Sequence, residues 1–236
     1  MTHLHLLLTD RLICPRCGPG FGLILLADRL ESRRVIEGSL GCPNCRDRFP
    51  IEKGFGDLRP PPRSTGDGAP PIEPPASPPA MEVAALLGLT EGSGNVALIG
   101  DMAGHAAELA GLVPGVEFIG IAAGLRGWEE GEGVSRMTAG AALPFSSGSL
   151  RGIGLLAGGG SYTVGEAATA GPASEAGGAS TVGGPSMAGE LSRVVATAGR
   201  IAVWGEVEEW ERALTSEGLE VLASEGSALV VTRAVR

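Results

Sequence analysis

Two short cysteine pairs constrain this chain more than any other feature. ICPRCGPG and GCPNCRDR carry Cys14/Cys17 and Cys42/Cys45 in the same C-P-x-C spacing. The 24 residues between the pairs are enough for a hairpin that brings them together. Four thiolates in two knuckles suit the tetrahedral, soft-ligand preference of zinc. A redox CxxC or a set of core thiols is the competing reading, and two matched pairs favour the metal. Four protein ligands leave no open coordination position, so the zinc expected here is structural. It also answers an energetic need. A unit of about 60 residues buries too small a share of its surface to be comfortably stable alone. Structural zinc contributes ~10–16 kcal/mol in small metallo-domains.

The start, MTHLHLLLTD, has neither the basic flank nor the apolar length of a signal peptide. No apolar run approaches the ~20 residues of a membrane span. A cytoplasmic location without membrane contact is expected, in keeping with cysteines that serve as ligands rather than disulfides.

Composition divides the chain into three. Residues 1–59 hold all four cysteines and form the expected zinc ribbon. Residues 60–79, PPPRSTGDGAPPIEPPASPP, hold nine of the 17 prolines and read as a stiff, extended linker. Residues 80–236 alternate apolar runs with helical patterns. Through Pro60 there are nine Lys/Arg against seven Asp/Glu, and the remainder has nine against twenty. So acidic a larger domain argues against nucleic-acid binding through that domain alone. Within it, residues 158–186 have only Glu166 and Glu175 as charges and few large apolar side chains. Such a tract cannot bury enough surface to offset its ordering entropy, and a flexible Gly/Ala-rich insert is expected.

The third piece reads as α/β. MEVAALLGL, HAAELAGLV, MAGELSRVVATAG and VEEWERALTSEG have helical spacing, the last with Val207, Trp210 and Leu214 on one face. VALIG, VEFIGIA, SLRGIGLLA and RIAVWG read as strands, and LEVLASEGSALVVTRA as an antiparallel hairpin at the end. Strands alternating with helices imply a mostly parallel, Rossmann-like sheet covered on both faces. VALIGDMAGHAAEL has the rhythm of a nucleotide-binding loop, with Gly100, Asp101 and Gly104 as candidate cofactor contacts. His3 and His5 alternate with leucines like the polar face of a strand, and His105 reads as a surface or first-turn residue of the following helix. Trp204 and Trp210 read as core anchors, Glu190 and Arg193 as an ion pair, and Glu129, Glu130 and Glu132 as a solvent-facing loop. No Ser/His/Asp order, phosphate loop or pair of catalytic acids stands out, so no catalytic residue is assigned.

Two resemblances follow from these stretches. LICPRC, GLILLADRLESRRVIEGSL and GCPNCRDRFPIEKGFGDLRP, with Phe49-Pro50-Ile51, Gly54 and Leu58, resemble the small zinc-ribbon activators of tRNA, rRNA and release-factor methyltransferases. That likeness spans most of residues 10–59 and implies a ribbon that docks on a methyltransferase and stabilises it. The family often keeps fewer cysteines at the second pair. Residues 81–236, the insert apart, resemble class I S-adenosylmethionine-dependent methyltransferases in element order. The likeness is also carried by VALIGDMAGHAAELA, AALPFSSGSLRGIGLL and ELSRVVATAGRIAVWG.

The second resemblance implies where cofactor contacts belong, and this chain departs there. Leu98 stands where the family has an acid before the first glycine, and Met102 where it has a middle glycine. Ala122 or Ala123 replaces the ribose-binding acid, Ala139 or Gly140 the acid near the adenine, and Leu150-Arg151 a Phe-Asp entering the fourth strand. The losses fall on ligand positions while the apolar runs survive. They favour a non-catalytic, methyltransferase-like protein that acts as a binding scaffold or methyltransferase-activating partner. The alternative is an active methyltransferase with atypical cofactor contacts, acting on a small molecule or RNA.

Overall fold

A computed structural model describes residues 4–63, 69–128, 133–157 and 184–234. His3, the Glu129/Glu130/Glu132 loop and the expected insert up to residue 183 lie outside the described residues.

The N-terminal part opens with β1 (Leu4–His5), a one-turn helix α1 (Leu6–Thr9), and the small ladder of β2 (Ile13–Cys14) with β3 (Gly18–Gly22). An antiparallel meander comes next: β4 (Ile24–Glu31), β5 (Arg34–Gly41), β6 (Arg48–Glu52) and β7 (Phe55–Leu58). The β4–β5 turn is Ser32-Arg33, both left-handed at φ 47° and 64°. Two positive φ values in a two-residue loop match the twist of the flanking strands.

The remainder runs α2 (Ala80–Leu86), β8 (Gly94–Ile99), α3 (Ala106–Leu112), β9 (Val116–Ile121), β10 (Val134–Ala139) and β11 (Leu150–Leu156). It closes with α4 (Ala188–Val194), β12 (Val195–Trp204), α5 (Glu208–Ser216), β13 (Glu220–Glu225) and β14 (Ala228–Thr232). No helix among the described residues is long and apolar enough to cross a membrane.

Twelve strands form a single sheet in the order β1-β5-β6-β7-β10-β9-β8-β11-β12-β14-β13, with β4 on β5. From β7 to β12 every pairing is parallel, and β14 runs antiparallel between β12 and β13. The ribbon and the α/β half therefore share one sheet, joined where β7 pairs with β10 from Phe55↔Arg136 to Leu58↔Ala139.

Period-two alternation sends the strand side chains to two cores. Ala97, Ile99, Ile119, Ile121 and Ile153 face one side, covered by α4, α5 and the ribbon's Leu4, Leu8, Leu12, Phe49 and Ile51. Val96, Leu98, Phe118 and Val134 face the other, covered by α2, α3 and Ile72 from the linker. Residues 140–149, between β10 and β11, contain no helix. The ribbon covers the sheet there instead. Leu12 bridges to Phe145, Ile13 N donates to Pro144 O at 3.0 Å, and Ser146 N donates to Arg11 O at 2.8 Å.

Strand β10 is absent from the pattern-based reading. Every residue of VSRMTA is buried, including Ser135, Arg136 and Thr138. Two of these polar side chains are satisfied from afar. Arg136 donates to Leu125 O and Lys53 O, and Ser135 Oγ donates to Glu117. Arg34 makes a bidentate pair with Glu117 at 2.5 and 2.9 Å, and His5 N donates to Ser135 Oγ, so this cluster also ties the ribbon to the α/β half. The helix read from MAGELSRVVATAG is shorter than its pattern: it stops at Val194, and Val195 to Gly199 already belong to β12.

Candidate metal centre and cofactor crevice

Both knuckles are built the same way. Cys14 ends β2 and Cys17 comes after it in a tight turn; Cys42 comes directly after β5, with Cys45 in the turn before β6. The residue after each pair is left-handed, Gly18 at φ 82° and Arg46 at φ 65°. Cys17 N donates to Cys14 Sγ, and Asn44 Nδ2 donates to Cys17 Sγ. All four sulfurs lie within 4.8 Å of one another, with Cys14–Cys45 at 3.7 Å and Cys17–Cys42 at 3.8 Å. Four thiolates at Zn–S ~2.3 Å would stand about 3.8 Å apart in a tetrahedron. The cluster has the size and chemistry for zinc. Burial opposes ionisation of Cys42, but backbone N–H groups of Cys45 and Asn44, together with the thiols of Cys14 and Cys45, outweigh it and bring that thiol down to about 7. Burial pushes Cys14 up.

The α/β half places the second candidate. Counting from β8, its strands stand in the order 3-2-1-4-5-7-6, with the reversed strand between 5 and 6. In such open sheets ligands bind at the carboxyl ends of the strands, where the order reverses. Here β8 ends at Ile99, Gly100 turns the chain at φ 65°, and a 3-10 turn over Gly100–His105 leads into α3. A strand, a glycine turn and a helix are thus present as expected, with Asp101 half-buried. Leu98, Met102, Ala122 and Ala139, four of the positions where the resemblance places ligand chemistry, are apolar and buried, while Ala123, the alternative to Ala122, is half-buried. Met102 packs toward β11: its Cε lies 3.8 Å from where a Cβ on Gly154 would be. Arg151 sits at the start of β11, where Nη1 donates to Glu91 O at 2.9 Å, away from the crevice.

The linker crosses this edge of the sheet. A Cβ on Gly140, after β10, would stand 3.3 Å from Pro60 Cδ. One on Gly124, after β9, would overlap Pro70 O and lie 2.8 Å from Ile72 Cγ1. One on Gly104, after β8, would lie 2.6 Å from both Pro74 N and Pro74 Cα. Ile72 is 8% exposed and belongs to the core cluster that contains Met102, Ala103, Ala122 and Leu125. Nothing in the sequence pattern beyond Ile72, the one large aliphatic among the prolines, signals this seat.

His105, read as a surface or first-turn residue, lies in the turn before α3 but is buried at 3% exposure. Its ring nitrogens have no well-aligned hydrogen bond among the described residues; the Pro78 backbone and Glu108 Oε2 at 4.0 Å are its polar neighbours. Burial holds its pKa below the usual histidine value. Glu190 and Arg193 form the expected pair at 2.8 Å and also secure the segment before β11. Arg193 donates to Phe145 O and Leu143 O, and Glu190 accepts from Leu143 N. Trp204 and Trp210 are buried anchors. Two open cavities, ≈ 650 and ≈ 390 Å³, lie at the opposite edge of the sheet among Gly94, Asn95, Glu117 and Arg11.

No family model and no curated protein matches this sequence. Solved structures do resemble the fold. The antibiotic-resistance methyltransferase Kmr is 15% identical at a TM-score of 0.43, covering 67% of this chain and 94% of its own. Geranyl diphosphate methyltransferase in complex with SAM is 13% identical at 0.45, covering 66% and 84%. A SAM-dependent methyltransferase from Aquifex aeolicus is 17% identical at 0.44, covering 64% and 87%. The strand order above defines the fold independently of these likenesses: a methyltransferase-like, Rossmann-related sheet carrying a small four-cysteine unit.

Proposed function

We propose that this chain is a non-catalytic, methyltransferase-like protein stabilised by structural zinc at Cys14, Cys17, Cys42 and Cys45. It works as a binding or scaffold protein, a methyltransferase-activating role included. The observation that carries this reading is the apolar, buried character of Leu98, Met102, Ala122 and Ala139 at the ends of three adjacent strands. S-adenosylmethionine offers ribose hydroxyls, an ammonium and an adenine amine, all of which ask for acceptors. Each charged hydrogen bond forgone costs ~1.5–3 kcal/mol, so two missing acids weaken binding by roughly two to four orders of magnitude. The residues present do not fit that cofactor.

A binding role also draws support from the far edge of the ribbon. Among the described residues strand β4 pairs with β5 alone and leaves Ile24 56%, Leu26 45% and Leu30 49% exposed. Apolar side chains along an open strand edge suit a protein partner.

Calorimetry with S-adenosylmethionine on the zinc-loaded chain tests the reading. No binding up to millimolar ligand is expected. Micromolar binding would overturn it in favour of an active enzyme with atypical contacts.

A further inference from the structure

We propose that the crevice is a peptide-binding site and that its resident ligand is the chain's own proline-rich segment, residues 70–78. The inference rests on the non-catalytic reading and deepens it, because it names what fills the crevice instead of a cofactor.

Three observations converge. The first is contact with backbone. Gly104 and Gly124 lie just after β8 and β9, and the atoms a side chain there would strike belong to Pro70, Ile72, Glu73 and Pro74. Neither glycine has the positive φ that would require glycine for conformational reasons. Their missing Cβ atoms serve the close approach of the segment. The second is burial. Ile72 is seated in the core cluster with Met102, Ala103, Ala122 and Leu125, and Pro78 is buried beside His105.

The third is that the chain is held on both sides of the segment. Upstream, Arg59 grips Asp57 through Nε at 2.8 Å and Nη2 at 2.6 Å, and Arg63 donates to Arg59 O and Arg48 O. Arg126, just after β9, reaches the same Asp57 at 3.1 Å. Downstream, Pro79 O accepts from Glu82 N and Val83 N in α2, and Glu82 accepts from Trp204 Nε1 at 3.0 Å.

The chemistry of occupant and site agrees. Six of the ten residues 70–79 are proline and carry no N–H. A segment so poor in donors can lie on an apolar crevice without stranding many of them. Prolines also hold the chain extended beforehand, so little conformational entropy remains to be lost on seating. An ordinary peptide or a polar cofactor has neither advantage on this surface.

The test is the sign of two single-methyl substitutions in the full, zinc-loaded chain. Gly104→Ala and Gly124→Ala add a methyl that meets the segment. Gly111→Ala, on α3 with nothing within 4 Å of its Cβ, is the control. In a helix or turn free of such contacts, alanine in place of glycine stabilises. The expected result is that both test variants melt below wild type, while the control melts at or above it. With Ile72→Cys as a probe, that thiol replaces a side chain only 8% exposed; it should alkylate slowly, read by peptide mass spectrometry, and at least about tenfold faster once Gly104→Ala or Gly124→Ala is added. Ile72→Ser should also lower the melting point, and adding it to Gly124→Ala should change little more, since the segment has already left. Test variants that melt at or above wild type, or fast alkylation of Ile72→Cys in an otherwise wild-type chain, would overturn the proposal. So would quickened alkylation on adding millimolar S-adenosylmethionine. Cofactor binding that leaves the alkylation unchanged would instead overturn the non-catalytic reading alone.

Discussion

Removing the metal should unfold far more than the ribbon. Structural zinc contributes ~10–16 kcal/mol in small metallo-domains, which matches or exceeds the ~5–15 kcal/mol net stability of a whole domain. A ribbon held by zinc at these four cysteines would therefore not outlast the metal. The fate of the α/β half depends on how much of its core leans on the ribbon. Leu4, Leu8, Leu12, Phe49, Ile51 and Leu58 are each at most 1% exposed and share a core cluster with Ile119, Met137, Phe145 and Ile153. Full burial of such a side chain is worth about 1.5–3 kcal/mol; assigning half of it to the shared core gives roughly 5–9 kcal/mol for the six. That is the size of the entire net stability, before the β7–β10 ladder and the Arg34–Glu117 pair are counted. The reporters are well placed: Trp128, Trp204 and Trp210 are the only tryptophans, and all lie in the α/β half. In a urea titration, tryptophan fluorescence and zinc release to a chromogenic chelator should change together. Cys42→Ser should lose the metal and the native tryptophan spectrum alike. A tryptophan transition with the same midpoint with and without zinc would refute the shared core as the source of stability.

Other outcomes rest on particular contacts. Arg34→Met removes the cation facing the Glu117 carboxylate, which is 13% exposed and keeps the Ser135 hydroxyl, and should cost about 2–3 kcal/mol in urea unfolding; a cycle with Glu117→Gln should show strong coupling. Arg193→Met frees the carbonyls of Leu143 and Phe145 and should cost about 2 kcal/mol at neutral pH. Although burial opposes its ionisation, the Arg193 pairing holds Glu190 below the usual carboxylate range. Its contribution is full above the unfolded value of ~4.3 and fades as pH falls through the lower folded value, so the penalty of Arg193→Met should shrink at pH 3. Buried His105 has a folded pKa below its unfolded value of ~6.5, so the unfolded state takes up the proton first and stability declines as pH falls below that value. Protection of the α3 amides Leu109 to Val113, corrected for the fall of the intrinsic exchange rate with pH, should drop between pH 7 and 5 in wild type and not in His105→Leu. A local readout is needed because burial also lowers the pKa of His5, which lies in β1.

Much of this protein is written in local pattern. Two C-P-x-C pairs suffice to foresee a four-thiolate cluster, because ligand spacing within a knuckle is a matter of a few bonds. Period-two and period-3.6 apolar repeats mark β8, β9, β11 and α5, and with the terminal hairpin they announce the α/β class. The loop at Gly100 to Gly104 is legible as a strand, turn and helix, and the apolar residues around it are legible too.

Three features needed the tertiary structure. Strand β10 hides in the sequence because Ser135 and Arg136 look exposed until Glu117 meets the first and Leu125 O and Lys53 O meet the second. The ribbon's place in the sheet depends on pairing Phe55–Leu58 with residues about 80 positions away. The seating of residues 70–78 depends on two glycines whose only signature is a missing atom. All three are contacts between distant segments, made through shape and buried backbone rather than through residue type. Periodicity and motif spacing report on neighbours along the chain, so the cysteine cluster and the fold class came from sequence. The occupant of the crevice was decided by the folded chain.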